Sequence, residues 1–268
     1  MRHTAGWRNQ LRTDPMFAPL EVAHIMQVPP PPSFETIIRF MLRQKGYFEP
    51  GTMYDYSNFG YSLLGEIIEK VSGLPYEQYM QSQLLQPMGI WRMKLGKNRY
   101  AEKFPQEARY YPHAGSEKKL SSYGTPDSAS KAYEATHLEA LGGAGAWIAS
   151  VPALLQFLHH IDGWAKPRDF LPWESVNQMI TPPPGDSTQH LVIGWKDVDE
   201  EKWWRTGSLE GTVAVLARQA NGLSWAFITN TGTYRGPYFS YEVAGMMRRQ
   251  LPLIRKWPRW DLMILANP

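Results

Sequence analysis

The sequence has 268 residues, 43% of them hydrophobic, which is enough to bury a substantial core in one large domain or two small ones. Its 28 basic and 25 acidic residues leave a formal net charge of +3, too small and too dispersed to predict a nucleic-acid partner. There is no cysteine, no apolar run long enough to span a membrane and no zinc-motif spacing among the seven histidines, so we expect no disulfide, membrane span or metal.

The first two-thirds of the chain predict helices whose ends are marked by capping and turn residues. Residues 1–32 are expected to be irregular, because the four prolines at 29–32 cannot lie inside a helix. Ser33 predicts the N-cap of an amphipathic helix that runs to about Lys45, with an inner face of Ile37, Ile38, Met41 and Leu42. Further helices are predicted at about 58–72, 75–86, 150–160, 172–180 and 238–250. The helix at 58–72 is expected to bury a stripe of Tyr61, Leu64, Ile68 and Val71.

Between and after these helices the pattern changes twice. Residues 92–136 are polar and without periodicity, which predicts a long surface excursion. From about residue 190, short β-rich runs are predicted at 191–195, 202–206, 212–219 and 223–231. Asn221-Gly222 between the last two is a strong hairpin signal. Helices followed by an antiparallel meander and a closing helix predict a single α+β domain, with a helical subdomain at about 33–185 and a sheet portion at about 190–268.

The first candidate site is Tyr56-Ser57-Asn58, on a turn that leads into the helix predicted at 58–72. A phenol beside a cation can act as a general base, and an asparagine amide can hold a substrate carbonyl or a lysine. The alternative interpretation is structural: Tyr56 is a packed aromatic residue, and Ser57 and Asn58 form an ordinary helix N-cap.

The second candidate site is Arg205-Thr206-Gly207-Ser208 at the end of a predicted strand. A cation, a small hydroxyl and a glycine in this position can bind an anionic group and offer backbone N–H donors to an oxyanion. Gly207 would also let a substrate lie against the strand, where a Cβ would obstruct it. The alternative interpretation is a β-turn that contains two glycines.

The two segments, in this order, resemble the serine β-lactamase and penicillin-binding-protein superfamily. The resemblance is to its class C β-lactamase-like branch, which includes D-alanyl-D-alanine peptidases and esterases. Further matches lie at 3–6 (His-Thr-Ala-Gly), 84–89 and 257–262, so the resemblance covers almost the whole chain. It implies a β-lactamase/transpeptidase-like fold, no cofactor, and a small-molecule or peptide acyl substrate.

The resemblance also implies roles for individual residues. Tyr56 matches the tyrosine that takes part in proton transfer, and Asn58 matches the asparagine that contacts the substrate amide and the catalytic lysine. Arg205-Thr206-Gly207 matches the Lys-Thr-Gly or His-Thr-Gly triplet that faces the cleft, and the backbone N–H of Ser208 matches an oxyanion donor. Arg205 departs from the pattern: arginine does not give up its proton, so it can serve only as a fixed cation.

The nucleophile motif of the family, Ser-x-x-Lys at the start of a buried helix, is the largest departure. In the family this helix and the first strands precede the segment that matches 3–6, and here only Met1 and Arg2 stand before His3. Ser-x-x-Lys occurs twice elsewhere, at Ser116 with Lys119 and at Ser128 with Lys131, both in polar sequence. We interpret both as chance matches, because the acyl-forming serine needs a lysine held in a dry, fixed position.

These observations lead to one expectation and two alternatives. We expect an N-terminally truncated serine hydrolase that forms no acyl-enzyme and self-associates through a sheet edge left uncovered. The first alternative is a non-catalytic protein that binds a peptide or cell-wall fragment. The second is hydrolysis by Ser57 with a nearby histidine. The substrate and the cellular compartment stay open.

Overall fold

A computed structural model describes residues 1–7, 14–126, 128–185 and 191–258. The helices are α1 Pro19–Met26, α2 Phe34–Leu42, α3 Asn58–Ser72, α4 Tyr76–Met80, α5 Leu138–Leu141, α6 Val151–His159, α7 Trp173–Ile180 and α8 Phe239–Gln250. The strands are β1 Lys94–Leu95, β2 Lys119–Leu120, β3 Ser128–Ala129, β4 Trp147–Ile148, β5 Asp197–Val198, β6 Lys202–Leu209, β7 Thr212–Gln219 and β8 Ser224–Thr229. Helices and antiparallel sheets confirm the predicted α+β class.

The chain divides into two compact units that alternate along the sequence. Unit 1 consists of Met1–Met80, Lys94–Ala108 and Ala114–Ile148, and unit 2 of Gln81–Met93, Arg109–His113 and Ala149–Pro268. The single domain with a helical subdomain at about 33–185 and a sheet portion at about 190–268 stays a prediction. None of the helices in the described part of the chain combines the length and apolar character that crossing a bilayer requires.

Helix α3 is the central helix of unit 1 and has the predicted bounds. The Ser57 side chain caps its N-terminus, and Gly73 ends it with a φ of +71°. The predicted buried stripe was wrong: the buried residues are Phe59, Ser62 and Gly65, whereas Val71 is 83% exposed. Small residues on this face let the turn after α5 approach the helix, so close backbone packing decides the buried side.

That close approach occurs at Gly143, in the turn after α5. A Cβ on Gly143 would lie 2.6 Å from the Tyr61 carbonyl oxygen and 3.2 Å from the Gly65 backbone nitrogen. The Ser62 hydroxyl adds a hydrogen bond of 2.9 Å to the Leu141 carbonyl oxygen. Helix α3, which carries Asn58 at its first turn, is thereby fixed to the rest of unit 1.

Three other predictions for unit 1 need correction. Residues 1–32 contain helix α1, which begins at Pro19, because proline is well suited to the first helical turn. Helix α2 has the predicted Ser33 cap but ends at Leu42, which is 77% exposed instead of buried. The excursion at 92–136 is not entirely superficial, since Asn98 is 1% exposed and its side-chain oxygen accepts hydrogen bonds from the start of α5.

Unit 2 contains a four-stranded antiparallel sheet in the order β5-β6-β7-β8. Trp204 of β6 lies opposite Ala217 of β7, and Ala217 lies opposite Trp225 of β8. These three residues form one buried cluster with Val215 and with Val243 of α8. Helix α8 therefore covers the sheet face that carries the even-numbered residues of β6.

The predicted strands of unit 2 are confirmed in part. The Asn221-Gly222 hairpin is present, with Gly222 at a φ of +87°. Residues 191–195 do not form a strand, because Gly194 has a φ of +79°, outside the strand region. β6 is longer than predicted and extends to Leu209, so all of residues 205–208 lie within a strand.

Candidate functional site

The first candidate segment places Tyr56 and Asn58 in contact within unit 1. The phenol of Tyr56 donates to Oδ1 of Asn58 at 3.1 Å, and Nδ2 of Asn58 donates to Oδ2 of Asp14 at 2.8 Å. Both Tyr56 and Asn58 are half-buried, and Asp14 is 8% exposed. The result is a chain of hydrogen bonds from a buried carboxylate through an amide to a phenol.

Asp14 is a site neighbour that the sequence analysis missed. It lies 44 positions before Asn58 and belongs to no motif. Its other carboxylate oxygen accepts from the backbone N–H of Met16 at 3.1 Å, as the cap of a short 3-10 helix at Pro15–Phe17. An aspartate directly before a proline predicts this cap but not the contact with Asn58, which depends on the fold.

Ser57, between the two candidate residues, has a structural role. Its Oγ accepts from the Gly60 N–H at 3.0 Å, and its own N–H donates to Nδ1 of His3 at 3.1 Å. Ser57 is therefore the N-cap of α3, as the structural interpretation of this segment had it. The contact between Ser57 and His3 uses the serine backbone, so it gives no support to the alternative in which Ser57 acts as a nucleophile with a histidine.

An aromatic cluster holds the turn that carries Tyr56. The His3 ring lies 4.5 Å from the Tyr56 ring and 4.8 Å from the Tyr61 ring, centroid to centroid, and meets the Tyr54 ring edge-on at 5.7 Å. The Asp55 N–H also donates to the His3 carbonyl oxygen at 2.9 Å. Residue 3, in the family-like segment 3–6, therefore positions the Tyr56 turn.

The second candidate segment lies on β6 in unit 2 and is split between the two faces of the sheet. Thr206 shares the α8-covered face with Trp204, whereas Arg205 and Gly207 project from the opposite face, because side chains alternate along a strand. Ser208 and Gly207 are exposed. The four predicted residues are thus adjacent, but their side chains do not all point the same way.

The backbone of β6 presents an open edge at Thr206 and Ser208. The Trp204 carbonyl oxygen accepts from the N–H of Lys196, on the side away from β7. Since this direction repeats every two residues in an antiparallel strand, the backbone groups of Thr206 and Ser208 point to the same side. β5 pairs only with Trp203 and Trp204, so among the described residues no strand covers that edge beyond Trp204.

Lys196 is a further neighbour that the sequence analysis missed. Its Nζ donates to Oγ1 of Thr206 at 3.3 Å and lies 4.5 Å from the centroid of the Tyr241 ring. The lysine precedes β5 by one residue, and no motif marks it. Thr206 therefore has two cationic neighbours: Lys196, which contacts its hydroxyl, and Arg205, which precedes it in the chain.

A cluster of charged residues lies elsewhere in unit 2. Asp162 is fully buried, and its Oδ1 accepts a hydrogen bond from the Trp164 N–H at 2.8 Å. Its Oδ2 lies 3.0 Å from Nδ1 of His159. Burial raises the pKa of the Asp169 carboxyl, and the nearby Asp162 carboxylate raises it further. Within the described ranges, no group of three or more histidine, aspartate or glutamate residues could hold a metal ion.

Comparisons with known proteins agree in pointing to one family. The family model described as Beta-lactamase matches residues 1–239. The chain is similar to "Penicillin-binding protein 4*" of Bacillus subtilis, with 27% identity over 138 residues, which is 51% of this chain and 29% of the relative. The chain spans less than a third of the length of the curated relatives it matches.

Solved structures show a similar fold. The penicillin binding protein from Bacillus halodurans superposes with a TM-score of 0.64 and 16% identity, over 93% of this chain and 72% of that one. The D-amino acid amidase from Ochrobactrum anthropi SV3, complexed with L-phenylalanine amide, gives a TM-score of 0.61 and 21% identity, over 93% and 68%. These likenesses confirm the predicted β-lactamase/penicillin-binding-protein-like fold.

Proposed function

This chain belongs to the beta-lactamase family of serine hydrolases, and on that premise we propose that it supplies proton-transfer and substrate-binding residues for acyl transfer to water but forms no acyl-enzyme by itself. The acyl donor would be an amide, a β-lactam or a carboxylic ester. The observation that carries the proposal is the Tyr56–Asn58 contact, formed in a sequence whose Ser-x-x-Lys matches begin no helix.

The proton-transfer part is assigned to Tyr56 and Asn58. Their hydrogen bond of 3.1 Å and their half-buried positions are suited to groups that exchange a proton with, or hold the amide of, a bound substrate. The family resemblance implies these same roles.

The substrate-binding part is assigned to Arg205, Thr206, Gly207 and Ser208. The outward backbone N–H of Ser208 is suited to an oxyanion, and Gly207 leaves room beside the strand, since a Cβ there would meet no heavy atom within 4 Å. Thr206, with the Lys196 ammonium beside it, would bind an anionic group of the substrate, and Arg205 would supply a fixed cation to the substrate on the opposite face of the strand.

The two Ser-x-x-Lys matches lack the setting that acylation needs. Ser128 is exposed on β3, and Lys119 is exposed on the neighbouring β2. An exposed lysine is not held in the dry, fixed position that activation of a serine needs, and an exposed serine has no fixed base. This supports the interpretation of both matches as chance.

Labelling with a fluorescent penicillin and a fluorophosphonate, followed by intact-mass measurement, tests the proposal. We expect no stoichiometric adduct on the folded chain. A stoichiometric adduct would contradict the proposal, and its loss in Ser116→Ala or Ser128→Ala would identify the nucleophile. Ser150→Ala, which removes a helix cap, is the matched serine control.

The non-catalytic alternative is favoured by one observation: the chain's own residues complete the Asp14–Asn58–Tyr56 hydrogen bonds. A binding protein derived from the family would bind a peptide or cell-wall fragment and return it unchanged. Calorimetry with such a fragment, followed by mass analysis of the recovered ligand, separates the two, since hydrolysis products would argue for catalysis.

A further inference from the structure

The charge of Asp14 determines which group donates in each of the two hydrogen bonds that connect Asp14, Asn58 and Tyr56. An ionised carboxylate only accepts hydrogen bonds, so the Asn58 atom that faces Oδ2 of Asp14 at 2.8 Å must be the amide nitrogen. The amide oxygen then faces Tyr56 at 3.1 Å, and because an amide oxygen cannot donate, the phenol must donate. The orientation of the amide follows from chemistry.

The burial of Asp14 makes this arrangement of donors and acceptors hard to reverse. Asp14 is 8% exposed, and its second oxygen is held by the Met16 N–H at 3.1 Å, so the carboxylate has little freedom to turn away. A hydrogen bond to a charged acceptor is stronger than one between neutral groups. Turning the Asn58 amide over would set its oxygen against the carboxylate.

We propose that Asp14 is a positioning residue, which fixes the orientation of the Asn58 amide and, through it, the direction of the Tyr56 O–H bond. The Tyr56 proton is then directed at Asn58, and the phenol oxygen faces other groups as an acceptor. Asn58 presents its second N–H to a substrate carbonyl. This assignment rests on the proposed roles of Tyr56 and Asn58 but concerns a residue outside every motif.

The change Asp14→Asn tests the assignment with almost no change in size. An asparagine at position 14 can accept or donate, so it no longer dictates which atom of Asn58 faces it. The matched control is Glu49→Gln, which neutralises an exposed carboxylate in the segment before the turn. Two NMR signals report the outcome: the side-chain amide of Asn58, assigned with Asn58→Ala, and the ring Cζ of Tyr56, assigned with Tyr56→Phe.

We expect one amide proton of Asn58 to be shifted downfield in the wild type, as in a charge-assisted bond. Asp14→Asn should lose this shift and move the Tyr56 Cζ signal, whereas Glu49→Gln should leave both unchanged. Identical signals in the wild type and Asp14→Asn would overturn the assignment.

A second comparison does not require the Asp14 variant to fold. If Asp14 sets the amide orientation, Tyr56→Phe keeps the downfield Asn58 proton. If the phenol sets it, that proton moves, and the assignment is wrong. Neither NMR measurement depends on acylation. The labelling experiment can therefore contradict the proposed function without changing the result for Asp14.

Discussion

The Lys196 ammonium donates to the Thr206 hydroxyl oxygen at 3.3 Å. A hydroxyl that accepts from a cation directs its own proton elsewhere, and the nearby charge makes that proton a better donor. The Tyr241 ring, 4.5 Å from Nζ, stabilises the ammonium by a cation–π contact. Thr206 and Lys196 together are therefore suited to an anionic group.

We predict that Lys196→Met weakens the binding of a carboxylate ligand by about tenfold, since losing a charge-assisted contact costs about 1.4 kcal/mol. The measurement is calorimetry with a peptide that ends in D-alanyl-D-alanine, as the free acid and as the C-terminal amide. Affinity for the amide should not change. Lys256→Met, which removes an exposed cation of the same type, is the control, and an unchanged affinity for the acid in Lys196→Met would contradict the prediction.

We predict that Gly143→Ala destabilises the protein by about 1–3 kcal/mol, the usual cost of overpacking. The added Cβ would lie 2.6 Å from the Tyr61 carbonyl oxygen, a backbone atom that cannot turn aside. Gly145→Ala is the matched control, because a Cβ there meets no heavy atom within 4 Å. Urea unfolding of both variants measures the difference, and equal midpoints would show that the close approach is not rigid.

We predict opposite pH effects for two aspartates of unit 2. The pKa of Asp169 is raised by burial and by Asp162, so the folded state holds its proton more tightly than the unfolded chain. Stability is therefore lost as pH rises from the ordinary value of 3.8 through the raised pKa. Asp169→Asn removes this loss, so the free energy of unfolding of the wild type should fall relative to that variant between pH 4 and pH 7.

For the second aspartate, Asp199, the change of stability with pH has the opposite sign. Burial opposes its ionisation, but hydrogen bonds from Lys202, 2.7 Å away, outweigh that effect and lower the pKa of the carboxyl. Its contribution is present above the unfolded pKa and is lost as pH falls through the folded one. Asp199→Asn should therefore destabilise at pH 7 by less than about 1 kcal/mol, as for other partly exposed pairs, and by less at pH 4. Parallel pH profiles for the two variants would show that at least one of the two signs is wrong.

We predict that the chain self-associates through the outer edge of β8. The alternation established on β6 carries across the sheet, so the Ala226 N–H points away from β7. Tyr111 pairs with this edge just past the end of β8, at Asn230 and Thr231, and among the described strands none pairs with it at Ala226. Ala226→Pro removes that donor and leaves the hydrogen bonds to β7 intact, so it should lower the association seen by light scattering. A monodisperse wild-type monomer would contradict the prediction.

Local signals in the sequence were sufficient for several elements. Ser33 caps its helix as predicted, Ser57 caps α3 as the structural alternative had it, and Ser150 caps α6, because a serine hydroxyl satisfies the free N–H groups of a first turn whatever surrounds it. The Asn221-Gly222 hairpin is likewise present, because its turn requires a residue that tolerates positive φ. The order of the motifs along the chain was sufficient to indicate its family.

The sequence pattern did not predict contacts between residues that are far apart in the chain. The buried side of α3 is chosen by Gly143, 78 positions after Gly65, and periodicity alone favoured the wrong stripe. Asp14 and Lys196 reach Asn58 and Thr206 only after folding, since no spacing rule links residues on separate elements. The sequence by itself determined the family, the capped helices and the motif residues, because these depend on short-range chemistry. The tertiary structure alone decided which carboxylate orients the amide and which cation faces the hydroxyl, because those contacts depend on where the chain returns.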